Sequence, residues 1–282
     1  MPSPLLAPLF GSPAMEAVWS DDEAVAAMLA FEGALAAAEA EAGVIPLAAA
    51  GPIAAAVARR DVDLTALAAA AGVAGNTSIP LVKALTATVR VADPEAAKWV
   101  HYGATSQDVM DTGLVLQLRE AFRVIEADLA RAMAAAATLA KAHRDTPMAG
   151  RTWLQQALPI TFGLKMAGTL DALMRHRDRL AEARPRILAL QFGGAAGTLA
   201  SLGGKGPEVA RLLAARLHLS LPDTPWHGQR DRILEAASLM AGLVATGAKV
   251  ARDVALMMQT EVGEVLEPAA PGRGGSSTMP HK

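Results

Sequence analysis

Apolar residues recur at three- and four-residue spacing along most of the chain, the period of a helix with one buried face. From Asp111 to about His143 the positions Leu114, Leu118, Phe122, Ile125 and Leu129 keep that spacing, with no proline and no glycine after Gly113. Some thirty residues at about 1.5 Å each predict a rod of roughly 45 Å. Ser20-Asp21-Asp22-Glu23 reads as a capping box opening a helix to about Glu41, which Gly43 and Pro46 stop. Shorter helices fit about 47–60, 63–71 and 207–217. A second long helix is expected from Pro159 to about Ala183, with Pro185 beyond it, and a third from Arg230 to about Val265. No strand-rich region or internal repeat is evident. Long helices joined by short connections imply an all-α, long-helix bundle. A boundary at 110/111 separates an N-terminal helical domain (1–110) from a central long-helix bundle domain (111–282).

The third rod changes that picture. Leu239, Met240, Leu243, Val244, Val250, Val254, Leu256 and Met257 make it apolar on more than one side. A helix apolar all round is buried, and one chain with three long rods has little with which to cover them. Self-association into a homo-oligomer is the expected answer, against a monomer covered by further residues of its own chain. Composition narrows the classes. The 282 residues are 52% hydrophobic and 19% charged with a net charge of −2, which supports a sizeable core and argues against nucleic acid as a partner. The absence of cysteine excludes disulfides, a thiolate nucleophile and Cys-ligated metal, and suits a cytoplasmic protein. The opening Met1–Leu6 lacks the basic segment of a signal peptide. The apolar stretches are broken by charges such as Glu32, Glu39 and Glu41, and none reads as a membrane span. No metal or other cofactor is implied.

Polar chemistry collects between the rods, where loops on a rigid scaffold build sites. The closing Gly274-Gly275-Ser276-Ser277-Thr278-Met279-Pro280-His281-Lys282 joins glycines that let backbone N–H groups approach a ligand to a hydroxyl and a cation. A serine is a poor base unless a cation, a helix N-terminus or a dry pocket lowers its pKa, and Lys282 with the loop amides can supply that field. Upstream stand His101–Thr112, Gly150–Pro159 and Gln259–Val265, each at an end of a long helix.

These four segments, in this order, resemble the three conserved blocks and the closing Gly-Ser-Ser-x-Met-Pro-x-Lys loop of the fumarase/aspartase superfamily. The resemblance covers essentially the whole chain. Within the superfamily, Gly75–Leu85, His101–Leu118, Gly150–Pro159, Phe192–Gly197 and Pro225–Arg232 are most similar to the bacterial 3-carboxy-cis,cis-muconate cycloisomerase family. The superfamily moves a proton on the carbon beside a carboxylate while a group leaves or joins the neighbouring carbon. The resemblance implies a homotetramer with sites shared between subunits and a small tricarboxylate substrate. It also implies that the chain, ending at Lys282, lacks later bundle helices and has weak or no activity by itself. An adenylosuccinate lyase-like C–N lyase and a non-catalytic oligomeric fragment of the same fold are the alternatives.

Residue by residue, the resemblance makes Ser276 the acid or base at carbon, with Ser277 as the adjacent alternative. Lys282 holds the carboxylate, and His101 joins the catalytic set. Trp153 stands where relatives carry the histidine that serves as general acid, and Gln155 and Met279 fall in the substrate-binding set. Thr105, Ser106 and Asp108, at a helix start, either bind a substrate carboxylate or simply cap the helix. His101 either meets substrate or makes a structural hydrogen bond. Arg151 pairs with a substrate carboxylate or, slightly preferred, an acidic neighbour. Asn76 and Ser78 donate to substrate or form a turn before Pro80. His227 and Arg230 are site candidates, whereas Arg232 is read as an exposed helix start. Glu261 and Glu264, three apart on an expected helix, are read as partners of Arg or Lys.

Overall fold

The computed structural model describes residues 5–268, 270, 271 and 275–279. Its helices are α1 (Ala7–Phe10), α2 (Pro13–Val18), α3 (Asp21–Glu41), α4 (Leu47–Arg59), α5 (Leu64–Ala74), α6 (Ser78–Ala92) and α7 (Ser106–Ala142). A hairpin of β1 (Pro147–Thr152) and β2 (Gln155–Thr161) follows, then α8 (Phe162–Ile187), α9 (Gly206–Leu217) and α10 (Asp231–Met257). The all-α architecture is borne out, apart from this one hairpin.

Contacts divide the chain into two compact units, 1–128 with 179–237 and 129–178 with 238–282. The expected boundary at 110/111 falls inside α7 instead. The reason is mechanical: α7, α8 and α10 are each long enough to run from one unit into the other, so proximity in sequence does not define the units.

In the first unit α3 packs on α4 and α9, and α4 on α6. Phe31, Leu35, Ile53, Leu81, Phe122, Ile187, Leu190 and Leu213 fill its core. The cap expected at Ser20 forms, its Oγ accepting from the Glu23 N–H at 3.2 Å. At the other end of α3 the Lys205 ammonium donates to the carbonyls of Ala42 and Gly43, a cation placed where a helix leaves its last carbonyls unpaired.

In the second unit the structure departs from expectation at three places. Gly150–Pro159 lies in the hairpin and does not open a helix. β1 and β2 are antiparallel, with Thr152 opposite Gln155 and a register shift between Ala149 and Arg151. The skipped residue is Gly150, where a Cβ would lie 2.5 Å from the Leu158 carbonyl oxygen. α8 begins at Phe162, with the Thr161 hydroxyl accepting from the Leu164 N–H, and Pro185 sits in its last turn. α10 ends at Met257, eight residues earlier than expected, and the chain turns back through Gly263 at φ 59° so that Glu264 N–H reaches the Met257 carbonyl. Glu261 and Glu264 therefore do not share a helical face.

The apolar character of α10 appears as expected, but little of it is covered. Contrary to the sequence reading, this helix is long and apolar enough to cross a membrane by length and composition, with a mean hydropathy of 1.4 over its most apolar stretch.

Candidate active site

The start of α7 is the best organised polar region of the first unit. Asp108 is fully buried and its carboxylate accepts four hydrogen bonds, from the backbone N–H groups of Thr105 (3.0 Å), Gly193 (3.0 Å) and Gly194 (2.9 Å) and from Gln191 Nε2 (2.9 Å). Burial pushes its pKa up, against those donors, which favour the charged form. With both oxygens occupied, Asp108 clamps the 190–194 loop to α7. Gly194 sits at φ 66° with the Gly103 carbonyl oxygen 2.8 Å from where a Cβ would stand, so the approach requires glycine.

Gln191, absent from the sequence reading, is the hub. It is fully buried; its Oε1 accepts from the Trp226 N–H at 2.6 Å and its Nε2 also lies 3.3 Å from His227 Nδ1. Its backbone N–H and carbonyl are both bonded to the buried Thr112 hydroxyl. Asp111, 3% exposed in its side chain, forms a two-pronged ion pair with Arg230 at 2.6 and 2.9 Å. The pair raises the arginine's pKa further, through the hydrogen bond first, against some desolvation. Arg230 also lies over the Trp226 ring, 5.5 Å from its centroid. His227 and Arg230 are thus carried to the α7 start by Gln191 and Asp111, two buried polar groups; Asp111 lies in the His101–Thr112 segment but was given no role there, and Gln191 lies outside every motif.

Asp108→Asn tests this clamp. An amide would set an NH₂ group against two of the four donors, leaving buried polar groups unpaired. We expect a loss of about 2 kcal/mol in unfolding free energy, read from urea midpoints at fixed protein concentration. A change within 0.5 kcal/mol, about the scatter of an ordinary surface substitution, would show that Asp108 does not hold the loop.

Thr105 and Ser106 stand half-buried at the N-terminus of this 37-residue helix, and their hydroxyls have no partner among the described residues. His101 precedes them at φ 59° and its Nδ1 lies 2.7 Å from Glu32 Oε1. Asn76 turns the chain into α6, its Oδ1 accepting from the Ile79 N–H at 3.0 Å, and Ser78 is buried with no partner for its hydroxyl among the described residues. The turn-forming alternative describes Asn76.

The second unit carries the remaining candidates. Arg151 makes two hydrogen bonds to Glu264, at 2.8 and 2.9 Å, so the acidic-neighbour alternative describes it. Trp153 (φ 52°) and Leu154 (φ 61°) form the two-residue hairpin turn, and Trp153 is 96% exposed at its tip. Left-handed φ is costly for such bulky residues. Gln155 is exposed at the start of β2. In the closing loop Ser276 Oγ accepts from the Met279 N–H at 2.8 Å and more weakly from the Thr278 N–H at 3.4 Å. Ser277 is exposed, its hydroxyl 3.5 Å from that of Thr278, and Met279 is exposed as well. Lys282 lies outside the described residues.

A family described as lyase matches residues 10–282. The 3-carboxy-cis,cis-muconate cycloisomerase of Bradyrhizobium diazoefficiens is 58% identical over 280 residues, covering 99% of this chain and 62% of the relative. That of Pseudomonas aeruginosa is 57% identical, covering 95% and 58%. The crystal structure of 3-carboxy-cis,cis-muconate lactonizing enzyme from Pseudomonas putida superposes with a TM-score of 0.94 at 54% identity, over 99% of this chain and 62% of that one. The chain thus spans about three fifths of the length of these relatives. Its fold agrees with theirs over nearly the whole chain, and the chain belongs to the lyase family, within the fumarase/aspartase superfamily that its four motifs resemble.

Proposed function

We propose that the protein carrying this chain is a cycloisomerase that closes 3-carboxy-cis,cis-muconate to 4-carboxymuconolactone in aromatic degradation. The observation that carries the reading is the 58% identity, over nearly the whole chain, to a protein of that name. In this reaction a carboxylate oxygen of the substrate forms the new C–O bond. The alkene electron pair moves to the carbon beside another carboxylate, and that carbon takes a proton. The attacking group is internal, so proximity supplies much of the rate. The hard part is the charge that builds on the carboxylate beside the carbanionic carbon, which fixed donors and cations must meet.

In this reading Ser276 delivers the proton and Lys282 holds the carboxylate. The α7 start, with His101, Thr105 and Ser106, binds a second carboxylate through free hydroxyls and a helix N-terminus. Ser78, His227, Arg230, Trp153, Gln155, Ser277 and Met279 complete the substrate surroundings, and Asn76, Asp108 and Arg151 hold loops in place. No amine departs, so no acid need stand where Trp153 replaces the histidine of other members. The largely uncovered apolar length of α10 supports self-association, which we assign as a homotetramer with sites shared between subunits. A cysteine-free chain with a small anionic substrate fits the cytoplasm.

The test is an ultraviolet assay at natural length. Loss of the diene absorbance of 3-carboxymuconate is expected, with no cleavage of adenylosuccinate. The reverse pattern would assign the protein to C–N bond cleavage instead.

A further inference from the structure

Glu32 has no role in the reaction proposed above, yet it is built against a residue that does. It lies on α3, 1% exposed, deep in the core of the first unit. Its Oε1 meets His101 Nδ1 at 2.7 Å, and its Oε2 is enclosed with no partner among the described residues. Enclosing a carboxylate this way costs free energy that only a good ionic partner offsets. His101 adds to that cost through its left-handed backbone at φ 59°, a conformation that non-glycine residues keep only where the surroundings enforce it. The result is an imidazole held by one nitrogen. Nε2 has no partner among the described residues, and the side chain keeps 18% of its surface exposed. The groups acting on the ring are Glu32 from α3 and Asp108 from α7. Glu39, seven residues along α3 from Glu32, is pushed up to about 9 by burial and, second, by the Glu32 charge, so it stays neutral beside the pair.

We propose that Glu32 is a positioning residue. It fixes His101 with Nδ1–H on the buried carboxylate and Nε2 free, so that the ring meets an anionic substrate as a cation with a set orientation. The proposal rests on the reading that His101 faces a substrate carboxylate. Burial opposes charge on the ring. The Glu32 hydrogen bond, the Glu32 charge and the Asp108 charge outweigh it, and His101 lies above the ordinary imidazole value of 6.5. The stability this pair contributes is full below pH 6.5 and fades as pH rises through the raised folded value.

Diethyl pyrocarbonate modifies only neutral imidazole, and peptide mass spectrometry reads each histidine separately, so its rate against pH titrates His101 in the assembled protein. The wild-type midpoint is expected above 6.5. In Glu32→Gln it should fall by about one unit or more, the scale of losing an adjacent opposite charge, while His143 and His218 keep their midpoints. Glu32→Asp should restore most of the shift. In the lactonization assay Glu32→Gln should raise KM about tenfold and move the alkaline limb to lower pH, in line with a lost carboxylate contact. A His101 midpoint unchanged by Glu32→Gln overturns the proposal. So does a wild-type midpoint at or below 6.5, a result that needs no variant to fold. If the wild-type protein fails to lactonize, the proposed reaction falls by itself, and the modification rates still decide the role of Glu32.

Discussion

Replacing Ser276 by alanine at natural length is expected to lower kcat about a thousandfold with little change in KM, whereas Ser277→Ala should stay within tenfold. The scale is that of removing a positioned proton donor. The two adjacent hydroxyls are separated by their hydrogen bonds. Ser276 Oγ accepts two backbone N–H groups of its own loop, Met279 at 2.8 Å and Thr278 at 3.4 Å. Donors aimed at an oxygen favour its negative form, so this hydroxyl gives up its proton more readily and its own hydrogen stays free to point at substrate. Among the described residues Ser277 has only the Thr278 hydroxyl, 3.5 Å away. Gly275 at φ 139° places the pair where a side chain is rarely tolerated, so the loop owes its path to glycine. Equal losses in the two variants, or a larger loss in Ser277→Ala, would move the proton transfer to the neighbour.

The parts of this protein legible in the sequence are those governed by a local period or motif. In α7, Leu118, Phe122 and Leu129 are buried as their spacing requires. The closing loop and the α7 start were found because glycine, hydroxyl and charged residues sit together in short segments. The hairpin was hidden because its turn is Trp153-Leu154, with none of the Asn-Gly chemistry that favours left-handed φ. Its second strand opens on Gln155, Gln156, Ala157 and Leu158, and β-branched residues appear only at its end, at Ile160 and Thr161. The hub at Gln191 joins residues about 80 positions apart, which no window can bring together. α3 misled in another way. Glu32 and Glu39 count as charges interrupting an apolar stretch, yet Met28, Glu32, Leu35 and Glu39 follow spacings of four, three and four. The glutamates lie on the buried stripe, as the structure shows. Periodicity located them correctly; assigning charge to solvent did not.

Glu39→Met is expected to stabilise the protein, and by more at pH 8 than at pH 5. Glu39 is fully buried and neither carboxylate oxygen has a partner among the described residues. Desolvation, with the Glu32 charge adding to it, pushes its pKa up to about 9 from 4.5. The folded protein therefore keeps this proton over a range where the unfolded chain has lost it. The unfolded state binds fewer protons between pH 4.5 and 9, so stability falls as pH rises through that window. At pH 7 the cost amounts to about 3 kcal/mol as an upper bound. Methionine has similar length and no group to ionise, so it removes the penalty and adds apolar packing. Urea unfolding at fixed protein concentration measures the difference. A gap between variant and wild type that widens from pH 5 to pH 8 is the expected result. A gap of the same size at both pH values would mean that Glu39 ionises inside the fold, with a partner supplied by the assembled protein. The acid would then belong to the same charge network as Glu32 and His101.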